Sequence, residues 1–197
     1  MGRSSKYSKE QIVTSAAELI AEGGVQAATM TAIAKRSGAP IGSLYHRYPS
    51  REALLAELWL DLIEQFQAGL TSTLDGDSPL EAAVATALYA VRWTREKPVE
   101  SRVMLLFHRR ELMQSDDLPG ELAERAAKLE PQLGEMLRGF CRRYWGEVNS
   151  ANMERARLAI LGIPAESARS YLERGKTPPA LVDAWVERAC RAVLADD

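Results

Sequence analysis

The sequence predicts an all-α protein with three short helices followed by six longer ones. Apolar residues recur at helical spacing along most of the chain, and Ser, Thr or Pro stands ahead of most of these runs. We find no stretch with the pattern of a β-strand and no convincing repeat. With 197 residues, 46% hydrophobic and 26% charged, the chain has the composition of an ordinary globular protein.

The first helix follows a capping box, in which Ser8 is the N-cap and Gln11 is the third helical residue. Its apolar stripe is Ile12, Ala16, Leu19 and Ile20. The pair Gly23-Gly24 is expected to end the helix, because glycine readily adopts the conformation that terminates one.

Two short helices follow. Thr29 is placed to cap a helix from Met30 to about Ser37, and the turn Gly38-Ala39-Pro40 breaks it. The third helix, about Ile41 to Tyr48, ends before Pro49. At 100° per residue, one side of it carries Ile41, Leu44 and Tyr48, which we expect to pack inward. The opposite side carries Gly42, Ser43 and His46, with Arg47 beside them.

The longer helices have similar signals. Ser50 is the expected N-cap of a helix from about Arg51 to Leu74, and Ser78 to Glu81 is a second capping box with Pro79 at the first helical position. Four more helices are expected. The first spans about 98–113 and is followed by a loop at 114–118, and the second spans about 119–145 with a bend at Pro131. The third, capped by Ser150, spans about 151–174 with a kink at Pro164, and the last runs from the turn at 176–178 to about Leu194.

Charge is unevenly distributed along the chain. Residues 1–50 hold six Lys or Arg and three Glu, a net charge of +3, whereas the remainder carries −5. A basic end on an acidic body favours an anionic partner at that end.

Cys141 and Cys190 are too few for a disulfide framework and lack metal-ligand spacing. We therefore expect both to pack in the core, with no metal and no cofactor, and we expect a cytoplasmic location. Neither a secretory signal nor a membrane-spanning run is expected.

A short helix, a turn with glycine and a second short helix make the helix-turn-helix pattern, whose second helix enters the DNA major groove. Ser43 and His46 could then bond to bases or phosphates, while Tyr45, Arg47 and Arg51 could reach phosphates. The spacing alone gives equal weight to an ordinary connection between packed helices.

The segment ATMTAIAKRSGAPIGSLYHRYPSREALLAEL, residues 28–58, resembles the DNA-binding segment of the tetracycline-repressor (TetR) family. The shared features are the Thr29 cap, Ile33-Ala34, Gly38, Gly42, Leu44-Tyr45 and Arg51. Beyond about residue 60 the resemblance is architectural. The family often has Ser-Lys at Pro40-Ile41, an aromatic residue at Arg47 and Phe at Tyr48.

The resemblance implies a DNA-binding domain at 1–49 and a ligand-binding and dimerisation domain at 50–197. It implies a homodimer that releases a palindromic operator, as double-stranded DNA, when a small-molecule effector binds. The expected DNA-binding residues are Thr29, Thr31, Lys35, Pro40, Ile41, Gly42, Ser43, Tyr45, His46, Arg47 and Arg51.

In the body, aromatic and apolar residues are candidates for a pocket that takes an apolar or aromatic effector, although each alone is more simply explained as core. They are Trp59, Ile63, Phe66, Tyr89, Trp93, Met104, Phe107, His108, Met136 and Phe140.

The last two helices are apolar enough for a dimer interface, with intramolecular packing as the alternative. The expected interface residues are Leu158, Leu161, Gly162, Leu181, Val182, Trp185, Val186 and Ala189.

Two other classes of function are less well supported by the residues. An enzyme is disfavoured, because the chain has only two histidines, no Cys/His pair and no Gly-rich phosphate loop. A helical interaction protein of the same fold without effector response, or a transcriptional activator, remains an alternative.

Overall fold

The computed structural model describes residues 8–106 and 119–195, and every regular element within these ranges is helical. The predicted all-α class is therefore confirmed. Over the same ranges, no helix has the length and apolar character needed to cross a membrane.

The helices are α1 (Lys9–Gly23), α2 (Met30–Ser37), α3 (Ile41–Arg47), α4 (Arg51–Leu74), α5 (Pro79–Glu96), α6 (Pro98–Leu106), α7 (Gly120–Trp145), α8 (Ser150–Arg157), α9 (Ile163–Leu172) and α10 (Leu181–Leu194). A 3₁₀ turn (Val25–Ala27) follows α1, and a π-helical segment (Leu158–Gly162) joins α8 to α9. The predicted end of the sixth helix near Met113 and the loop at 114–118 lie outside the described residues.

Local capping determines the N-terminal helices as predicted. Ser8 and Gln11 form the reciprocal capping box of α1, and Gly24, with φ of 78°, ends that helix. The side-chain oxygen of Thr29 accepts a hydrogen bond of 3.1 Å from the backbone N–H of Ala32. These bonds satisfy backbone donors that the first turn of a helix leaves without partners.

Two predicted caps are wrong. Ser78 occupies the N-cap of α5 but makes no side-chain capping bond, and the carboxylate of Glu81 instead binds the Arg191 guanidinium through two bonds of 2.7 Å. Asn149, not Ser150, caps α8, because its side-chain oxygen accepts from the backbone N–H of Asn152 at 2.8 Å.

Pro164 is accommodated by a π turn. Proline lacks the N–H for the helical bond, and its ring would collide with the carbonyl four residues before it. In the preceding turn, the N–H of Ile163 bonds to the carbonyl of Leu158, five residues earlier. The wider turn lets the helix continue through the proline into α9.

Contacts group the chain into two units. The first contains the residues up to Ile63 together with Arg102–Ala126, and the second contains Glu64–Ser101 and the residues from Ala127. In the first unit, α1 packs on α2 and α2 on α3. Its most buried side chains include Ile12, Ile20, Ile33, Leu44, Leu54, Leu55 and Leu58. The expected domain boundary after residue 49 remains a prediction.

The second unit has its own core, built mainly from α5, α7 and α10. Ala83 and Ala87 are fully buried on α5, which packs against both α9 and α10. Cys141 and Cys190 are free thiols inside this core, as their expected packing role requires. Burial raises the pKa of the Cys190 thiol to about 11, so it is protonated at neutral pH.

Candidate nucleic-acid interface

The turn between α2 and α3 positions α3 on the surface of the first unit. Gly38 ends α2 in the left-handed conformation, with φ of 73°, which a residue with a side chain adopts at a cost. Leu44 and Tyr48 are almost completely buried and anchor α3. Because α3 has only seven residues, these contacts rather than its own hydrogen bonds hold it helical.

The rest of α3 faces outward. Its exposed residues, with the preceding proline, are Pro40, Ile41, Gly42, Ser43, Tyr45, His46 and Arg47. Apart from the adjoining residues and the backbone of α3 itself, no heavy atom lies within 4 Å of the position that a Cβ on Gly42 would occupy, so the helix is open to close approach there.

Ile41 was expected to pack inward, and that prediction is wrong. Its side chain is 44% exposed, whereas Ala39 in the preceding turn is only 4% exposed. Ala39 is the buried apolar residue at this end of α3, and Ile41, the first helical residue, is exposed. The outward face of α3 is therefore more apolar than the sequence suggested.

Arg51 was expected to reach a DNA phosphate, but its guanidinium is bound inside the first unit. Its Nε donates to the carbonyl of Ala28 at 2.7 Å, and one of its terminal amino groups donates to the carbonyl of Val25. The other contacts Glu52 at 3.2 Å. Arg51 therefore ties the start of α4 to the connection between α1 and α2.

The charges available to a partner are positive. No Asp or Glu lies between Glu22 and Glu52 in the sequence. Arg36 is paired with Glu22, through bonds of 2.8 and 2.6 Å that lower the pKa of that carboxyl. Lys35 and Arg47 are exposed and form no ion pair within the part of the chain that the structure describes.

The α2 residues of the predicted set lie at the surface but differ in what they can offer. Thr29 is exposed, although its side-chain oxygen already accepts the capping bond from Ala32. Thr31 and Lys35 are exposed one turn apart on the same helix.

A chain of charges that the sequence analysis missed joins α1, α4 and α7 within the first unit. The Lys9 ammonium contacts Glu57 and lies 3.3 Å from Asp61. The guanidinium of Arg125 donates to Asp61 at 2.7 Å. The hydrogen bond to Glu57 raises the pKa of Lys9. The i, i+4 spacing of the acidic residues Glu57 and Asp61 on α4 was the available signal.

The structure brings three of the predicted effector residues together in the second unit. The rings of Phe66, Tyr89 and Trp93 have centroids 5.6–5.9 Å apart. Trp93 is only 7% exposed, and its indole N–H finds no hydrogen-bond acceptor in the described residues. The Lys97 ammonium lies 4.4 Å from the centroid of the Trp93 ring.

The other predicted effector residues have different environments. Phe140 is completely buried in the core of the second unit, where it stacks on Tyr144, and Met136 packs against the same core. In the first unit, Trp59 is buried, while Ile63 and Met104 are partly exposed. Phe107 and His108 lie outside the described residues.

The predicted dimer residues divide between surface and core. Leu158, Leu181 and Trp185 are each about half exposed, which is unusual for such large apolar side chains, and Gly162 is exposed. Leu161 and Ala189 are partly exposed. Val182 and Val186 are buried in the unit's own core, so their placement on an exposed interface is wrong. They lie on the inward side of α10, about 100° around the helix from Leu181 and Trp185.

The short helix α3 follows a glycine turn, is anchored on its inner side and exposes a face without acidic residues. Together with α2 it forms a helix-turn-helix module of the kind that DNA-binding proteins use. Residues 12–58 match the family described as bacterial regulatory proteins, tetR family. The matched residues include α2, α3 and the start of α4.

One curated transcriptional repressor is similar to the chain in sequence over less than half of its length. It is 34% identical over 87 residues to the HTH-type transcriptional repressor KstR2 of Rhodococcus jostii, a match that covers 42% of the chain and 43% of that repressor. The chain thus spans less than half the length of this curated relative.

Solved structures share the fold over nearly the whole chain. FadR of Bacillus subtilis, solved in complex with stearoyl-CoA, superposes with a TM-score of 0.70 at 18% identity, covering 95% of this chain and 98% of that one. A transcriptional regulator from Rhodococcus sp. RHA1 superposes with a TM-score of 0.72 at 22% identity, covering 95% and 94%.

Proposed function

We propose that the protein is a ligand-responsive transcriptional regulator that binds operator DNA through α3. The observation that carries this proposal is the outward face of α3, which is exposed from Pro40 to Ser43 and from Tyr45 to Arg47 and has no acidic residue on it. Exposed Lys35 and Arg47 are available to phosphates, which supply affinity, while Ser43 and His46 face base edges, which supply specificity.

The active form is proposed to be a homodimer. Leu158, Leu181 and Trp185 leave large apolar surfaces exposed on the second unit, and covering them would stabilise an assembly. A two-fold dimer presents two copies of α3 to a palindromic site, with half-sites about 34–36 Å apart or a multiple of this spacing.

The effector is proposed to be a small molecule with a large apolar or aromatic part. The aromatic group of Phe66, Tyr89 and Trp93 supports this, because the buried indole N–H of Trp93 has no acceptor in the described residues. The FadR complex shows a ligand with a long apolar chain bound in the same fold. Effector binding is proposed to release the operator, as in a repressor, and an activator is the alternative.

DNA binding is tested with the promoter region of the protein's own gene, using fluorescence anisotropy over a range of salt concentrations. Arg47→Ala and Tyr45→Ala should each weaken binding. Arg92→Ala, which removes one charge from an exposed position on α5, is the matched control and should not. Unchanged binding by both α3 variants would show that α3 is not the reading helix.

Effector response is tested by screening small molecules for thermal stabilisation, with and without bound operator. A true effector stabilises the free protein and weakens its DNA affinity, because coupling between two sites is reciprocal. If compounds that stabilise the protein leave the operator affinity unchanged, the interaction protein without effector response becomes the better description.

A further inference from the structure

The exposed face of α3 has an apolar edge. Ile41 is 44% exposed and Tyr45 is 54% exposed, and their i, i+4 spacing places them side by side. Gly42 separates this edge from the polar side chains of Ser43, His46 and Arg47. In the described part of the first unit, Ile41 and Tyr45 are the large apolar side chains that remain exposed, and both belong to this helix of seven residues.

We propose that Ile41 determines operator specificity by packing against the C5-methyl group of a thymine. This inference rests on the proposed DNA binding by α3. An aliphatic side chain forms no hydrogen bonds, so in the major groove its favourable base contact is with the methyl group that distinguishes thymine from cytosine. The operator should therefore contain a thymine in each half-site at the position facing Ile41.

Charge complementarity indicates DNA rather than protein as the partner of this edge. Lys35 and Arg47 are exposed without ion pairs in the described residues, and no acidic residue lies between Glu22 and Glu52. A polyanion satisfies these charges and brings the base edges to Ile41. Gly42 lets the helix backbone approach closely enough for a short side chain to reach a methyl group.

The test begins by selecting binding sites from random double-stranded DNA with the full chain. Each thymine of the selected site is then replaced in turn by deoxyuridine, which removes only the methyl group. We expect about a fourfold loss of affinity for one thymine position per half-site, the effect of one lost methyl contact. Replacement of the other thymines should have smaller effects.

Protein variants assign the effect to Ile41. Ile41→Ala should bind the thymine site more weakly and should no longer distinguish it from the deoxyuridine site. Ser43→Ala, altered on the same exposed helix, should keep the fourfold discrimination. Because Ile41 is exposed, Ile41→Ala should unfold at the same temperature as the natural protein, and this is checked in parallel.

The outcomes separate the inference from the function on which it rests. Selection of no DNA site would refute the proposed function, and the inference with it. A selected site at which no thymine is sensitive to deoxyuridine would refute only the role of Ile41. The same holds if Ile41→Ala retains the discrimination, or if it alters self-association rather than DNA binding.

Discussion

Replacing Arg51 by methionine should lower the free energy of unfolding but leave the number of DNA phosphates that the protein contacts unchanged. The substitution keeps most of the apolar stem but removes the donors to the Ala28 and Val25 carbonyls. Hydrogen bonds from charged groups contribute about 1.5–3 kcal/mol each. The Arg51 side chain is 23% exposed, so water can replace part of that interaction, and the Val25 carbonyl retains a bond from the Ala28 N–H. We therefore expect a loss of about 2–3 kcal/mol in the free energy of unfolding.

The assay combines urea unfolding with the salt dependence of operator binding. Arg47→Met is the matched control, because Arg47 is exposed and forms no ion pair in the described residues. It should leave stability unchanged and reduce the slope of log affinity against log salt by about 0.9 per protomer. Arg51→Met should lower the urea midpoint and leave that slope unchanged.

A reduced slope for Arg51→Met with unchanged stability would refute the structural role and restore the phosphate contact expected from the sequence. Arg51→Lys provides a second check. Lysine keeps the charge but cannot donate to two divergent carbonyls with fixed geometry, so it should recover little of the lost stability. Full recovery would show that charge alone matters at this position.

Three further outcomes are expected. Gly69→Ala should destabilise the protein by about 1–3 kcal/mol in thermal unfolding, because the added Cβ would lie 2.0 Å from the Tyr89 hydroxyl oxygen. Gly139→Ala is the control, since the Cβ added there would have no neighbouring side chain within 4 Å, and it should be neutral or stabilising. Tyr48→Phe should raise the free energy of unfolding by up to about 1 kcal/mol, because it removes a buried hydroxyl without a partner in the described residues. Burial raises the pKa of Tyr48 to about 12, above 10 for an exposed tyrosine, so the natural protein should lose stability from pH 10 to 12 and the Phe variant should lose less. For the proposed dimer, Trp185→Arg should shift the sedimentation profile towards monomer; an unchanged profile would exclude Trp185 from self-association.

The N-terminal helices could be predicted because their limits depend on neighbouring residues. Ser8, Thr29 and Ser50 each bond to a backbone N–H three positions ahead, so the cap and its partner are read together in the sequence. Gly24 and Gly38 end α1 and α2 for an equally local reason, since both have positive φ.

Predictions failed where the deciding partner lies far away in the sequence. Glu81 binds Arg191, 110 residues later, so the local pattern that predicted a capping box could not identify its true partner. Arg51 binds backbone carbonyls 23 and 26 residues earlier, and any residue type provides a carbonyl. No pattern of side chains marks such an acceptor in advance.

The residues of the candidate site could be predicted from the sequence, but which of them face inward and which face outward could not. A helical angle places Ile41 near Leu44 and Tyr48, yet Ile41 is the first residue of a helix of only seven. It is 44% exposed, and the buried apolar residue at that end is Ala39 in the preceding turn. Similarly, helical period alone could not place Val182 and Val186 in the core while leaving Trp185 outside.

Net charge overstates how many basic residues of the first unit are available to an external partner. Lys9 and Arg36 are each held by two carboxylates, and Arg51 is held mainly by backbone carbonyls. Lys35 and Arg47 are exposed without such partners in the described residues. Neutralising a residue of the first group removes contacts that hold α1, α2 and α4 together, whereas neutralising one of the second breaks no ion pair in the described residues. The basic residues of this module therefore fall into two groups, and the geometry of their partners, rather than their number, separates those held between its helices from those left exposed.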